Sequence, residues 1–582
     1  VGHTGIGIAL SNTASTNLIV GNRIVSNSGS YGLSIYNNGG TFGNRVASNF
    51  IDRNAGMAVR QFGGIRNIYT NNIVSHNDGN AFYIDAGART NTIIANTIDS
   101  NNGNGVAFAS AGVDDNRVAN NTFLGRNYQV RGLIMNGSRN TVSNNTIVGH
   151  TTYGVWVSGS TANRILANTI ASNDLTGLNV TGATADANIV AGNTFESRGF
   201  QNDGIQIADG DRNIITNNLV RGHGGGVLLC CAGPDSNRVV GNRVLSNWGD
   251  GIHMGTSSAN RVTSNAFEGA GSISRGVVFS TGNRNLVTNN RIALHQNAAV
   301  VFANTATSNR LVGNTIVSNG TNGVVFGSAA AQYNVVVRNI NRFATNGVYF
   351  ASGTQNIVAN NDIYRASSRG VWIVSGPNRF VNNILMSNGS VGLTNAAGGI
   401  TWENNVVFGH ARNYADSVTQ AVANANIIAN PYFSNAAAGN FRLSGPCPMS
   451  PAVDAGTTNG LTAIDGTVIQ GLTRDVGAYE SAFSGELLTN TFFVNDASQV
   501  GDLYTTCVGS DANTGLTPAS PKRTLTNLLS AYDLDPGDIV YIDTGTNEYP
   551  TRVAPSDADG TVAAPITFTG PTNGQTALFR GL

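Results

Sequence analysis

A short motif recurs along most of this chain and limits the folds that it can adopt. The motif is Asn-x4-Asn-x followed by Ile, Val, Phe or Leu, as in Asn91–Ile98 and Asn309–Ile316. After about eight to ten residues comes a strand led by Gly, such as Gly154-Val-Trp-Val. The second asparagines of the units are Asn22, Asn49, Asn71, Asn96, Asn121, Asn145, Asn168, Asn193, Asn217, Asn242, Asn265, Asn290, Asn314, Asn339, Asn361, Asn382 and Asn404.

The length and periodicity of the motif select among repeat folds. The steps between successive units run from 21 to 27 residues and average about 24. Apolar residues occur at every second position, which is typical of strands. Helical repeats are longer, and their apolar residues recur at intervals of three and four residues. The Leu-x-x-Leu-x-Leu core of leucine-rich repeats is absent. The sequence therefore predicts an all-β solenoid, a parallel β-helix of about 17 coils with three strands in each coil.

Stacked coils bring the same position of each unit into one column. Each coil buries its inward residues only against its neighbours, so the coils must stack at the strand spacing of about 4.8 Å. Asn above Asn lets each side-chain amide donate to the next, which forms a ladder at a turn. We predict that the 17 second asparagines form this ladder.

The coils resemble the pectin-lyase-like right-handed parallel β-helix superfamily. The resemblance covers residues 1–410 and rests on the Asn-x-Ile signature of generic parallel β-helix repeats. It implies a right-handed solenoid. The superfamily includes lyases, hydrolases, epimerases, adhesins and structural surface proteins, so it does not imply one activity.

Composition changes near residue 410. Of the 13 prolines, only Pro234 and Pro377 precede residue 430. Residues 411–482 resemble the closing segment of bacterial surface β-helix proteins, which covers the open edge of a stack. Residues 483–582 resemble the entry of a second β-helix, with a short helix at about 523–533 that plugs its first coil. We predict three parts with these boundaries.

The chain begins within one patterned coil and ends soon after the second entry. We interpret it as one period of a tandem array or filament. Copies of the chain would then associate end to end along the solenoid axis, either within one long polypeptide or as separate subunits.

Charge and hydropathy exclude some partners. The formal net charge is zero and only 11% of residues are charged, which argues against a nucleic-acid-binding face. No apolar run approaches the length of a membrane span. With the resemblance above, we expect a secreted or cell-surface location in a bacterium.

One column of polar side chains is a candidate ligand groove. Its members lie 20 to 27 residues apart, near one coil, just before the Gly-led strands. The candidate catalytic residues are Asp203, His223, Asp250 and Arg275, with His253 and Trp248 beside them as candidate groove residues. Acid, imidazole and guanidinium groups on one groove suit the binding or cleavage of an acidic sugar. The alternative is that they are surface residues on coil edges.

The residues of this column do not match the complete active-site motifs of known β-helix enzyme families. Gly222-His-Gly is similar to a polygalacturonase motif, but the paired Asp-Asp and the later Arg-Ile-Lys of that family are absent in register. The carboxylate cluster of pectate lyases and the Tyr-Gly-x-Asp-Pro-His motif of mannuronan epimerases are also absent. An enzyme is therefore less favoured; if the protein is one, we expect a polysaccharide lyase or glycoside hydrolase.

Two further features suggest metal and redox chemistry. Asp496, Asp502 and Asp511 lie close together in sequence and are candidate calcium ligands, with solvated turn aspartates as the alternative. Cys447 and Cys507 are a candidate disulfide. The adjacent Cys230 and Cys231 follow an apolar strand and are predicted to be buried small residues.

The sequence favours an extracellular structural or adhesive protein, a unit of a fibre or of a giant tandem β-helix protein. The first alternative is a β-helix that binds or cleaves acidic polysaccharide. The second is a trimeric attachment spike of the phage type.

Overall fold

The computed structural model describes residues 4–36, 42–197, 202–269, 274–396, 400–416, 426–444, 450–457, 473–481, 491–532, 534–549, 561–562 and 564–581. The chain forms two compact units. The first comprises Val1–Ile357, Ala366–Asn378 and Asn395–Gly399; the second comprises Val358–Arg365, Arg379–Thr394 and Ile400–Leu582.

The first unit is a right-handed parallel β-helix with three parallel sheets. Each coil contributes one strand to each sheet. Strands of the first sheet are Ile8–Ser11, Tyr31–Tyr36, Met57–Phe62, Phe82–Asp85, Asn104–Phe108, Arg131–Met135, Val155–Ser158, Leu178–Thr181, Ile205–Ile207, Val227–Leu229, Ile252–Met254, Val277–Phe279, Val300–Phe302, Asn322–Phe326, Asn346–Phe350 and Arg369–Ile373. Strands of the second sheet are Leu18–Val20, Arg45–Ala47, Ile68–Thr70, Thr92–Ile94, Arg117–Ala119, Thr141–Ser143, Arg164–Leu166, Ile189–Ala191, Ile214–Thr216, Arg238–Val240, Arg261–Thr263, Leu286–Thr288, Arg310–Val312 and Val335–Val337. Strands of the third sheet are Arg23–Val25, Phe50–Asp52, Ile73–Ser75, Thr97–Asp99, Thr122–Leu124, Thr146–Val148, Thr169–Ala171, Thr194–Glu196, Leu219–Arg221, Arg243–Asn247, Ala266–Gly269, Arg291–Ala293, Thr315–Val317 and Ile340–Arg342. The predicted fold class is confirmed.

Apolar side chains alternate inward and stack in columns through the coils. In the later coils Phe279, Phe302, Phe326 and Phe350 form one such column, with successive ring centres 4.6, 4.8 and 4.4 Å apart. All four rings are buried. The ring spacing matches the spacing of parallel strands, so one residue type at one coil position fills the core repeatedly.

Two asparagine ladders run along the corner that connects the second and third sheets and the corner that precedes the second sheet. In the ladder of the second asparagines, each Nδ2 donates to the next Oδ1 at about 3.0 Å, as between Asn22 and Asn49. In the first unit this ladder consists of Asn22, Asn49, Asn72, Asn96, Asn121, Asn145, Asn168, Asn193, Asn218, Asn242, Asn265, Asn290, Asn314 and Asn339. The first asparagine of each motif forms the other ladder, from Asn17 to Asn378, through bonds from each backbone N–H to the next side-chain oxygen.

Four of the predicted ladder residues are wrong by one position. Asn71, Asn217, Asn382 and Asn404 each precede a second asparagine, and that following residue occupies the ladder. The earlier residue of each pair instead adopts the left-handed backbone conformation, with φ between 52° and 55°. Asparagine tolerates this conformation, so an Asn-Asn pair fills both positions and spacing alone does not separate them.

A third corner, after the third sheet, carries asparagine in some coils and histidine in others. The backbone N–H groups of His150, His223 and His295 donate to Asn173, Asn247 and Asn319 one coil further on. These three imidazoles are 0 to 3% exposed. Burial lowers the pKa of each to about 4.

The second unit contains further coils and a closing segment. Its coil strands are Asp362–Tyr364, Arg379–Val381, Ile384–Met386, Thr401–Glu403, Val406–Phe408 and Arg412–Asp416; Ile357–Ala359 and Val391–Asn395 span its borders. The ladder asparagines here are Asn361, Asn383, Asn405 and Asn426. The preceding residues Asn360, Asn382 and Asn404 donate to backbone carbonyls of Asp475, Thr457 and Ala455, which attaches the closing segment to this unit.

The last part of the second unit contains small sheets and one described helix. Phe433–Asn435 pairs antiparallel with Asn440–Leu443. Thr491–Val494, Ile539–Ile542 and Thr567–Thr569 form a parallel sheet, and Gly545–Tyr549 pairs with Ala577–Gly581. The helix, Leu525–Ala531, lies within the predicted range 523–533; Thr524 caps it and Leu528 packs into the core beside the parallel sheet. No helix in the described ranges is long and apolar enough to cross a membrane.

Candidate ligand groove on the first sheet

Four successive coils of the first unit place different residues at one position. The backbone N–H of Gly204 donates to the carbonyl of Gly225, that of Gly226 to Asp250, and that of Gly251 to Arg275. The leading glycine of each strand is therefore in register with the leading glycine of the next coil. The residue that precedes each of these glycines is in register in the same way. The resulting column reads Asp203, Gly225, Asp250 and Arg275.

Asp250 is the centre of an ion-paired cluster. Arg275 donates from Nε and Nη2 to the two carboxylate oxygens at 2.7 and 2.8 Å, which is the strong bidentate geometry. His253 Nδ1 lies 3.0 Å from Asp250 Oδ2. Burial alone would raise the pKa of Asp250, but the hydrogen bonds from His253 and Arg275 hold it below its ordinary value. Asp250 is therefore ionised at neutral pH.

Asp203 lies in a different environment two coils earlier. Its carboxylate accepts no hydrogen bond from any other residue in the described ranges around it. Burial raises its pKa to about 6, although the nearby charge of His253 acts in the opposite direction. Two carboxyl groups in one site thus have pKa values displaced in opposite directions, an arrangement that is frequent at functional sites.

Gly225 opens the space between the two aspartates. A side chain at this position would overlap the Asp203 carboxylate oxygen. The pocket that results has a volume of about 300 Å³ and is lined by Asn202, Asp203, Gly224, Gly225, Val227, Leu228, Asp250 and His253. The sequence prediction did not include Gly225. The run of three consecutive glycines at 224–226 is the signal that marks it.

Three of the predicted residues do not line the pocket. Arg275 lies beside it and pairs with Asp250, whereas His223 and Trp248 lie elsewhere. His223 does not line the pocket: it belongs to the third-corner column and is 3% exposed. It was placed with the aspartates because it is near one coil from them in sequence, but it lies two residues before the column position of Gly225. Trp248 is exposed near the same corner and is not a lining residue either.

Cys230 and Cys231 do not form the buried small-residue position that the sequence predicts. They are joined by a disulfide. Cys230 is half-buried and Cys231 is exposed, and both follow the end of the strand Val227–Leu229. The Gln206 amide nitrogen lies 3.7 Å from Cys230 Sγ, on the same outward face as Leu228.

The three predicted calcium ligands are not grouped as one set. Asp496 and Asp502 are near each other, since burial and then the charges of Asp543 and Asp496 raise the pKa of Asp502. Asp511 accepts hydrogen bonds from the N–H and hydroxyl of Thr524, whereas Asp502 accepts one from the Asn495 amide and Asp496 one from the N–H of Ser498. In the part of the chain that the structure describes, no three His, Cys, Asp or Glu side chains are grouped closely enough to hold a metal ion. The hydrogen bonds of these aspartates fit the alternative of turn aspartates, and calcium binding stays a prediction from the sequence.

Cys507 takes part in a disulfide. Its predicted partner, Cys447, lies outside the described residues.

Comparison with known proteins assigns the family. A family model described as the right-handed beta helix region matches residues 131–292, 198–341 and 275–431, which together span just over half of the chain. The chain belongs to this family. The matched range includes the whole of the groove column from Asp203 to Arg275.

Solved structures with similar chains include two epimerases and a tailspike protein. The A-module of the mannuronan C-5 epimerase AlgE4 from Azotobacter vinelandii is 16% identical over 52% of this chain and 91% of that one, with a TM-score of 0.37. The periplasmic alginate epimerase AlgG is 13% identical over 59% and 77%, with a TM-score of 0.28. The Dettilon tailspike protein is 16% identical over 51% and 62%, with a TM-score of 0.30. No curated protein matches. At these scores the similarities do not bear on ligand or activity.

Proposed function

We propose that the first-sheet face around Asp203, Asp250 and His253 binds an acidic polysaccharide outside the cell. The observation that carries the proposal is the pocket between Asp203 and Asp250, which exists because Gly225 has no side chain. It lies on a solenoid face that continues in both directions, so a long chain can extend beyond it without meeting a closed wall.

The donors available in the pocket suit a carboxylate. Asn202 lines the pocket and carries an amide donor, and Arg275, which pairs with Asp250 outside the lining, places a positive charge beside it. Nδ1 of His253 is used by Asp250, so the other ring nitrogen is the one left for a ligand. At mildly acidic pH the protonated Asp203 adds a further donor, because burial raises its pKa to about 6.

Cleavage of the bound chain is a second candidate, and the opposed pKa values of the two aspartates favour it. Asp203 would act as the general acid and Asp250 as the base. The two residues are two strand spacings apart, about 10 Å between their Cα atoms. However, both oxygens of Asp250 are occupied by Arg275 and His253. Binding therefore ranks above cleavage.

Calorimetry with hexamers of galacturonate and mannuronate tests the proposal, with cellohexaose as the neutral oligomer of equal length. We expect one uronate hexamer to bind to the wild-type protein at pH 5.5, and cellohexaose to bind at least tenfold more weakly. Arg275→Gln should weaken uronate binding about tenfold because it removes the positive charge that compensates Asp250 beside the pocket. Release of reducing ends, abolished by Asp203→Asn, would identify cleavage.

Arg221→Gln is the matched control. Arg221 pairs with Glu196 at 3.0 Å on the third sheet, in the same region of the first unit but away from the pocket. Its substitution should leave the affinity unchanged. Failure of both uronate series to bind, or equal weakening by Arg221→Gln and Arg275→Gln, would overturn the proposal.

An extracellular location accords with the Cys230–Cys231 disulfide, since disulfides persist in oxidising compartments. End-to-end association into a fibre and a trimeric attachment spike stay predictions from the sequence.

A further inference from the structure

The disulfide between Cys230 and Cys231 lies on the outward face of the first sheet, next to the wall of the pocket. Leu228 lines the pocket, Leu229 is buried in the core, and Cys230 follows on the outward side. Cys230 is half-buried and Cys231 is exposed. At the rise of a strand, Cys230 is about 7 Å from Leu228. The disulfide and the pocket are therefore neighbours on one face.

The bond between these two cysteines adds little to the stability of the fold. A disulfide stabilises a protein mainly by closing a loop of the unfolded chain, and the gain grows with the length of that loop. Cys230 and Cys231 are adjacent, so the bond closes no loop. Cys231 also has a left-handed backbone with φ of 76°, which costs free energy for a residue with a side chain. The effect of the bond is local, because it fixes two sulfur atoms at the surface.

The residues beside Cys230 in the neighbouring coils do not cover it. Continued by one residue, the first-sheet register places Ala208 beside Cys230 in the preceding coil and Gly255 beside it in the following coil. A β-carbon added at Gly255 would lie 3.3 Å from the β-carbon of Cys230. Neither Ala208 nor Gly255 has side-chain atoms beyond Cβ. Over these three coils, the disulfide is therefore the group that projects outward at this position.

Gln206 contacts the disulfide and borders the pocket wall. Its amide nitrogen lies 3.7 Å from Cys230 Sγ and 4.0 Å from Cys231 Sγ. Gln206 is in register with Leu228, and Leu228 is in register with His253. All three side chains are partly exposed. Because the amide nitrogen is used by the sulfur atoms, the amide oxygen is the atom left to accept a hydrogen bond from a ligand.

We infer that the Cys230–Cys231 disulfide is an apolar subsite against which one ring of the bound polysaccharide packs. This inference rests on the proposed function and gives the ligand a direction: it lies along the strands, from the Asp203–Asp250 pocket to the turn after Leu229. Sulfur is polarisable and weakly polar, which suits the C–H face of a pyranose ring. The Gln206 amide oxygen accepts a hydrogen bond from a sugar hydroxyl. From Gly225 to Cys231 the distance is about 20 Å at the rise of a strand, so a long oligomer covers both sites.

The dependence of affinity on oligomer length tests this subsite by calorimetry. Uronate dimers reach only the pocket, whereas hexamers also reach the disulfide. Cys230→Ala/Cys231→Ala should weaken hexamer binding about fivefold and leave dimer binding unchanged, because the apolar contact is lost. The thermal unfolding midpoint of this variant should match that of the wild type, because removal of the bond releases no loop. A loss of affinity is then separated from a loss of folding.

Ser280→Ala/Thr281→Ala is the matched control. The register continues from Cys230 through Gly255 to Ser280, so these two residues occupy the same turn two coils later and do not line the pocket. The control should leave both affinities unchanged.

Three outcomes would overturn the subsite while the pocket stands. They are wild-type hexamer affinity in the cysteine variant, equal weakening of dimers and hexamers in that variant, and equal weakening of hexamer binding in the control. If the wild-type protein binds neither dimers nor hexamers, the proposed function fails together with the subsite.

Discussion

The corners of the solenoid and its first-sheet face are built from the same repeat but differ in how far they depart from it. At the corner of the second asparagines, each coil from Asn22 to Asn339 repeats the same residue and the same bond. On the first-sheet face, four adjacent coils carry Asp203, Gly225, Asp250 and Arg275 at one position. A corner residue must bond to its copies above and below, so change there breaks two contacts. An outward-facing residue does not need to bond to its copies in neighbouring coils. Coils that depart from the repeat on this face can therefore bind a ligand without loss of the ladder.

The comparison predicts that the corner is the more sensitive region. Asn218 is buried, donates to Val190 O and Asn242 Oδ1, and accepts two bonds from Asn193. We expect Asn218→Ala to lower the free energy of unfolding by about 3 kcal/mol, because several buried partners lose their bonds. Asn217→Gly, at the exposed left-handed residue beside it, should cost less than about 0.5 kcal/mol. Chemical denaturation measures both, and equal effects would contradict the ladder assignment.

The histidines of the third corner give this region a pH dependence. The pKa of His150 is about 6.5 in the unfolded chain and is lowered to about 4 by burial. The unfolded state therefore binds protons first, and stability that is fully present above pH 6.5 is lost as the pH falls toward 4. His150→Asn, which restores the residue found at this corner in other coils, should remove on the order of 2 kcal/mol of that loss. Denaturation midpoints at pH 7 and pH 4.5 check this; an unchanged slope would show that His150 does not titrate in this way.

On the first-sheet face, filling the pocket should cost affinity with little effect on stability. Gly225→Ala places a methyl group against the Asp203 carboxylate, and we expect about tenfold weaker binding of a uronate hexamer. Gly327→Ala is the control, since a side chain there makes only ordinary contacts at 3.6 and 3.8 Å. Calorimetry of both variants distinguishes pocket filling from a general effect of glycine replacement. Wild-type affinity in Gly225→Ala would argue against a ligand between the two aspartates.

The smallest expected effect is a pH dependence of binding. Above pH 6 the Asp203 carboxylate is ionised and repels a uronate, whereas below it the acid is protonated and donates a hydrogen bond. Uronate affinity should therefore rise about threefold between pH 7 and pH 5. Asp203→Asn should remove this change, and a neutral hexamer should not show it. An equal pH dependence in Asp203→Asn would assign the titration to another group.

Much of the fold is predictable from the spacing of the asparagines and the alternation of apolar residues. Those signals depend on one coil length and on bonds that repeat between coils, so they are visible in one sequence. The register failed only where two asparagines adjoin, as at Asn217 and Asn218, because both the bend and the ladder accept that residue.

The candidate site was only partly predictable. Asp203, Asp250 and Arg275 were found because Arg275 is one coil after Asp250 and Asp203 is two coils before it. His223 was included wrongly. The spacing between residues in sequence does not separate the third corner, where His223 lies, from the column position two residues later. Gly225 was missed because its contribution is the absence of a side chain, which becomes informative only beside the Asp203 carboxylate.

The NMR signals of the histidine imidazoles test the proposed site most directly. The chain has seven histidines, and His253 is the one that lines the pocket in the described structure. With selectively labelled histidine, and His253→Gln to assign the signal, a uronate hexamer should shift the His253 resonance and leave those of His150, His223 and His295 in place. Binding that leaves His253 unshifted, or that shifts the buried corner histidines instead, would contradict a ligand groove on the first sheet.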